Sequence, residues 1–120
     1  MTYVFFVDDA EGRTVWSPVS TAGALFTGMV KVVADVDDVP TGLTARADDL
    51  HAIDPERFEA FVRRGLSAYA STNHGKIRLA LEGVLPTATV LLERCGRPLS
   101  PQHDEERTIM QRGQTLGMVW

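Results

Sequence analysis

The sequence predicts an α+β fold: an N-terminal β-hairpin packed on a three- to four-helix core that contains an αα-hairpin. Three observations predict it. Residues 3–16 hold two runs of β-formers around a turn. Residues 55–95 hold two long segments whose apolar residues recur every three or four positions. Only a short polar break separates those segments, as in two antiparallel helices joined by a tight turn. At 120 residues the chain fits one domain, 1–120, with no internal repeat or low-complexity tract. A hydrophobic fraction of 44% suffices for a core without disulfide or metal staples.

In chain order, Tyr3-Val4-Phe5-Phe6-Val7 forms the first strand, residues 8–12 the turn, and Arg13-Thr14-Val15-Trp16 the return. Trp16, at a strand end beside a helix start, is expected to be at least half buried. Ser17-Pro18 supplies capping chemistry for a helix carrying Leu25, Phe26, Met29, Val30, Val33 and Val36. Its β-branched end leaves a strand there as the alternative. Residues 37–54 read as a polar connection. Asp54-Pro55 opens the clearest helix, with Ile53 and Phe58 placed for a hydrophobic staple. Its apolar stripe is Phe58, Phe61, Val62, Leu66 and Tyr69.

After the break at Ser71-Thr72-Asn73, a third helix runs to about Cys95. Ile77, Leu81, Val84, Leu85, Ala88, Leu91 and Leu92 mark its buried side, and Pro86 lies inside it. Gly96 ends it. Residues 97–106 read as loop, and 108–117 as a last helix. Residues 115–120 are equally readable as a strand.

Composition excludes several functions. Sixteen acids against twelve bases give a net charge of −4, so no nucleic-acid partner is expected, because phosphate binding needs a basic face. One cysteine, Cys95, leaves no disulfide framework and points to a reducing, cytoplasmic setting. Residues 1–9 lack the basic start of a secretion signal. No apolar run approaches the roughly 20 residues that span a bilayer, so no membrane association is expected.

Candidate chemistry is sparse. No two of His51, His74 and His103 lie three or four residues apart, so no metal and no cofactor are expected. His103-Asp104 has the pair found in metal-dependent phosphohydrolases, but no later aspartate follows. Cys95 sits at a helix C-terminus, where the backbone dipole opposes a thiolate, and reads as structural. Asp35, Asp37 and Asp38 lack the spacing of a calcium loop. The stretch from Asp35 to Glu59 carries eight acids against Arg46 and Arg57. Asp37, Asp38, Asp48 and Asp49 are therefore the candidates for meeting a basic protein partner. His74, Arg78 and Glu82 are the candidates for ligand binding. Arg78 and Glu82, four apart, also form an ordinary helix ion pair. Glu82 is the polar residue of that helix placed to be buried.

Val15-Trp16-Ser17-Pro18, Ala24-Leu25-Phe26, Ile53-Asp54-Pro55 with Phe58 and Phe61, His74, Leu81-Glu82-Gly83 and Leu91 to Pro98 together resemble a small actinobacterial protein family catalogued only as a domain of unknown function. The resemblance spans roughly residues 3–99 and implies no activity. The expected function is a non-enzymatic binding or regulatory protein, of the small acidic kind that neutralises a basic partner. The alternative is a small enzyme or ligand-binding protein with a pocket between hairpin and helices. A homodimer is expected, because the third helix is apolar on nearly every side. Met110, Leu116, Met118, Val119 and Trp120 add apolar groups after it.

Overall fold

The computed structural model describes residues 2–116, Asp37 by its backbone. The N-terminal hairpin forms as expected, from β1 (Val4–Val7) and β2 (Thr14–Trp16). Its turn is built by Asp9, whose Oδ1 accepts from the N–H groups of Glu11 and Gly12. Phe5, Val7, Val15 and Trp16 face the core, and Trp16 is 6% exposed. The Phe5 and Trp16 rings stack at 5.1 Å, and Phe26 meets both edge-on.

Helix α1 (Ser20–Asp37) starts later than the Ser17-Pro18 signal. The Pro18 carbonyl accepts from Tyr3 N–H, and Val19 bridges to Thr2, so this segment joins the sheet margin. The whole of 20–37 is helical, which removes the strand alternative. Only part of its expected stripe is buried. Phe26, Val30 and Ala34 enter the core, whereas Leu25, Met29 and Val36 are exposed.

Residues 37–54 are not a plain connection. They contain a second hairpin, β3 (Leu43–Ala47) and β4 (Leu50–Ile53). The sheet order is β2-β1-β4-β3, with β1 parallel to β4 and the other pairs antiparallel. Every residue of β1 has a partner in β4, from Val4 opposite Leu50 to Val7 opposite Ile53. Gly42 leads into this hairpin at φ +83, and a Cβ there would strike the Phe58 backbone.

Helix α2 (Pro55–Ser71) begins as its sequence dictates. Asp54 Oδ1 accepts from Arg57 N–H at 3.2 Å, Pro55 takes the first position, and Ile53 and Phe58 are both buried. Phe61, Val62, Leu66 and Tyr69 complete the buried stripe. Helix α3 (Gly75–Arg94) runs continuously through Pro86 and packs against α1, α2, β2 and the last helix. Its centre, Leu81–Leu92, is the core of the molecule. Its first turn is not: Ile77, assigned to the buried side, is 45% exposed. Gly96 at φ +86 ends the helix. Gly96 N–H bonds to Glu93 O and Arg97 N–H to Leu92 O, which together satisfy the last carbonyls.

Helix α4 (Asp104–Thr115) begins inside the expected loop. Glu106, Ile109 and Gly113 face inward, and Gly113 lets α4 touch the Pro86 carbonyl of α3. The strand reading of residues 115–120 falls mostly outside the described residues, where Met118, Val119 and Trp120 also lie. No helix among the described residues is long and apolar enough to cross a membrane.

Candidate functional site

The ligand-binding candidates Arg78 and Glu82 are brought together, but through a third residue. Tyr69, near the end of α2, donates its hydroxyl to Glu82 Oε1 at 2.6 Å. Arg78 lies over the Tyr69 ring at 4.1 Å and donates to the carbonyls of Tyr69 and Thr72. Arg112 of α4 approaches the other Glu82 oxygen at 3.9 Å. The simple Arg78–Glu82 helix pair is thus replaced by a cluster joining α2, α3 and α4. Burial, then the bond to Glu82, push the Tyr69 phenol above its ordinary value. Such a phenol stays protonated and donates; it is not poised as a nucleophile. Glu82 is half-buried rather than enclosed. His74 precedes the first residue of α3, exposed, with its side chain making no cap bond. Its backbone carbonyl accepts from Arg78 N–H as the helix begins.

Tyr69 and Arg112 were missed as members. The Tyr69 signal was present: a tyrosine on a buried stripe must place its hydroxyl somewhere. Glu106 was missed too. It is 2% exposed, accepts from Gln102 N–H at 3.3 Å, and faces Arg63 at 3.5 Å. A glutamate at the third helical position reaching back beyond the cap is the readable signal.

The partner-binding aspartates do not form one patch. Asp48 and Asp49 make the turn between β3 and β4, beside the Ala47–Leu50 pair. Asp38 follows α1 in the left-handed conformation, ahead of Gly42 and the opposite end of β3. Asp37 closes α1. Other acids of the stretch have internal partners: Asp54 caps α2, and Glu59 takes two bonds from Arg97 at 3.2 Å. Asp8, before the stretch, pairs with Arg46 inside it.

Two grooves flank α1. The first, of about 450 Å³, lies between α1 and the β3 end of the sheet. Lys31, Asp35, Thr27, Thr41 and His51 supply its polar groups. His51, read as a loop residue, belongs to β4. Its ring stacks on Tyr3 and Phe5, both at 5.5 Å, and its Nδ1 is buried without a protein partner. Burial holds His51 below its usual pKa, with Asp49 partly opposing. The second groove lies between α1 and the first turns of α3. Leu25, Met29, Val32, Val36, Ile77 and Leu79 stand around it, all exposed, and no charged side chain lines it. Cys95 is half-buried, and burial pushes its thiol up to about 11. No group of three metal-ligating side chains exists among the described residues.

The fold defines an α+β protein with a mixed four-stranded sheet and four helices, three of which meet at a half-buried polar cluster. The chain belongs to the family of unknown function DUF6086, whose model matches residues 1–119. No curated protein and no solved structure matches it.

Proposed function

We propose that the chain is a non-enzymatic binding or regulatory protein that works through contact with another protein molecule. The observation that carries this reading is the second groove beside α1. Among the described residues, six of the eight exposed large apolar ones gather there, on a face without charge. Exposed apolar patches of this kind mark interaction sites in proteins of this size. The polar cluster adds support, because its charged groups already have partners within the chain: Glu82 accepts from Tyr69 and lies near Arg112, and Arg78 donates to backbone carbonyls. The homodimer and the basic partner are the two partners this proposal carries from the sequence. The exposed Asp48, with the half-buried Asp49 beside it at a hairpin tip, supports the basic one. A cytoplasmic setting goes with the proposal, supported by a single cysteine that leaves no internal disulfide.

A photo-reactive residue placed at Val32 in living host cells tests the binding reading. The expected result is a discrete adduct heavier than the 13.2 kDa chain. No adduct from Val32, Leu25 or Asp48 positions would sink it.

The groove beneath His51 favours a second reading, a ligand-binding protein. A concave site with a few convergent polar groups is the usual form of a small-molecule pocket. Its mark would be a small molecule that co-purifies with the protein and is lost in His51→Phe.

A further inference from the structure

We infer that the groove between α1 and α3 is the face through which two copies of this chain pair about a two-fold axis. This deepens the binding reading above and rests on it.

Helix α1 carries two apolar stripes. Phe26, Val30 and Ala34 enter the core. Leu25, Met29, Val32 and Val36 form a separate outward stripe at spacings of four, three and four. That alternation keeps one narrow seam facing a partner helix, as in paired helices generally. Lys31 and Asp35 lie on a third side, along the His51 groove. The monomer leaves most of this outward stripe bare: Val36 is 79% exposed, Val32 62% and Leu25 59%.

Small residues shape the face. A hollow of about 430 Å³ lies between Met29, Val32 and Leu79, lined by Gly28 and by Gly83, where a Cβ would meet the Met29 sulfur. A second hollow of about 260 Å³ follows between Val36 and Ile77. Ridge and hollow lie side by side on one surface, so a two-fold rotation sets the ridge of each copy into the hollow of the other.

Charge selects the occupant. On a two-fold axis each group faces its own copy, so a charged group near the axis meets like charge. Two copies of a chain of net charge −4 repel one another across most faces. This face carries no charged lining residue and is compatible with itself. A basic partner would gain nothing here and is better matched by the aspartates elsewhere. Area agrees. The six exposed side chains remove roughly 500 Å² of apolar surface per copy. With a polar rim this reaches the roughly 800 Å² per partner of an ordinary stable interface.

The test uses the full chain. Light scattering during size-exclusion chromatography, from about 1 to 200 µM, is expected to give twice 13.2 kDa. Val32→Glu and Val32→Lys should each weaken pairing at least a hundredfold, with unchanged circular dichroism. Their equimolar mixture should pair again, because the two charges then oppose each other across the axis. Leu79→Glu replaces Val32→Glu if that variant fails to fold. A 13.2 kDa species at 200 µM overturns the inference, whether the face is bare or covered by residues 117–120 of the same chain. A dimer untouched by these substitutions overturns it equally. Adducts to a different protein at Val32, with a monomer in solution, would overturn self-pairing and leave the binding reading standing.

Discussion

The Tyr69 hydroxyl gives Glu82 a 2.6 Å bond, and its loss can be measured. Tyr69→Phe keeps the ring under Arg78 and deletes only that bond. Glu82 keeps Arg112 and partial solvent, so the expected cost is about 1 kcal/mol in denaturant melts. His51 supplies a pH signature. Burial lowers its folded pKa below 6.5, so protonation favours the unfolded chain. The stability it contributes is present above pH 6.5 and lost as pH falls through the folded value. His51→Phe retains the stacking on Tyr3 and Phe5. It should therefore lose less melting temperature than the parent between pH 7.5 and 5. Equal losses would show that His51 is not held neutral.

At the scale of elements, α2 offers an ordered pair. Asp54→Ala removes one cap bond and should cost about 1 kcal/mol. Phe61→Ala leaves a cavity in the core and should cost about 3–5 kcal/mol. Melts showing Phe61 the milder would contradict the packing of α2. On α4, Gly113→Ala drives a methyl into the Pro86 carbonyl and should destabilise by about 1–3 kcal/mol, although alanine is the better helix former. Elements whose signals are local were legible: the Asp9 turn, the Asp54-Pro55 start, the Phe58–Tyr69 stripe and the Gly96 stop. The β3–β4 hairpin was not. Leu43-Thr44-Ala45-Arg46-Ala47 alternates apolar with polar residues, but two of its three apolar positions are alanine, a poor strand former, and this edge strand is exposed along most of its length. His51 and Ala52 carry little strand propensity, and β4 is held by its parallel partner β1, a contact remote in sequence. The site was half legible for the same reason. Arg78 and Glu82 share a helix and invite pairing, whereas Tyr69 and Arg112 join them only through tertiary packing. Ser17-Pro18 misled because the Pro18 carbonyl is taken by Tyr3.

For the whole molecule, one continuous buried cluster links the sheet to all four helices, from Phe5 and Trp16 to Leu66, Leu91 and Ile109. Sheet and helices should therefore unfold in a single transition. In a Trp120→Phe background, Trp16 fluorescence reports the sheet and far-ultraviolet circular dichroism the helices. Their denaturation midpoints should coincide. Separate midpoints would divide the core into independent parts.

The parallel pairing of β1 with β4 also governs how the molecule is made. β1 leaves the ribosome first, and its inner neighbour follows only after β2, α1 and β3 have been synthesised. At roughly 5–20 residues per second that interval lasts several seconds. A hairpin closes in about 1–10 µs, so β1 and β2 have ample time to meet. Throughout that wait one side of Val4–Val7 offers unpaired backbone groups on a strand rich in valine and phenylalanine. Newborn chains are thus open to strand exchange with their neighbours on a shared message until β4 arrives to close the gap.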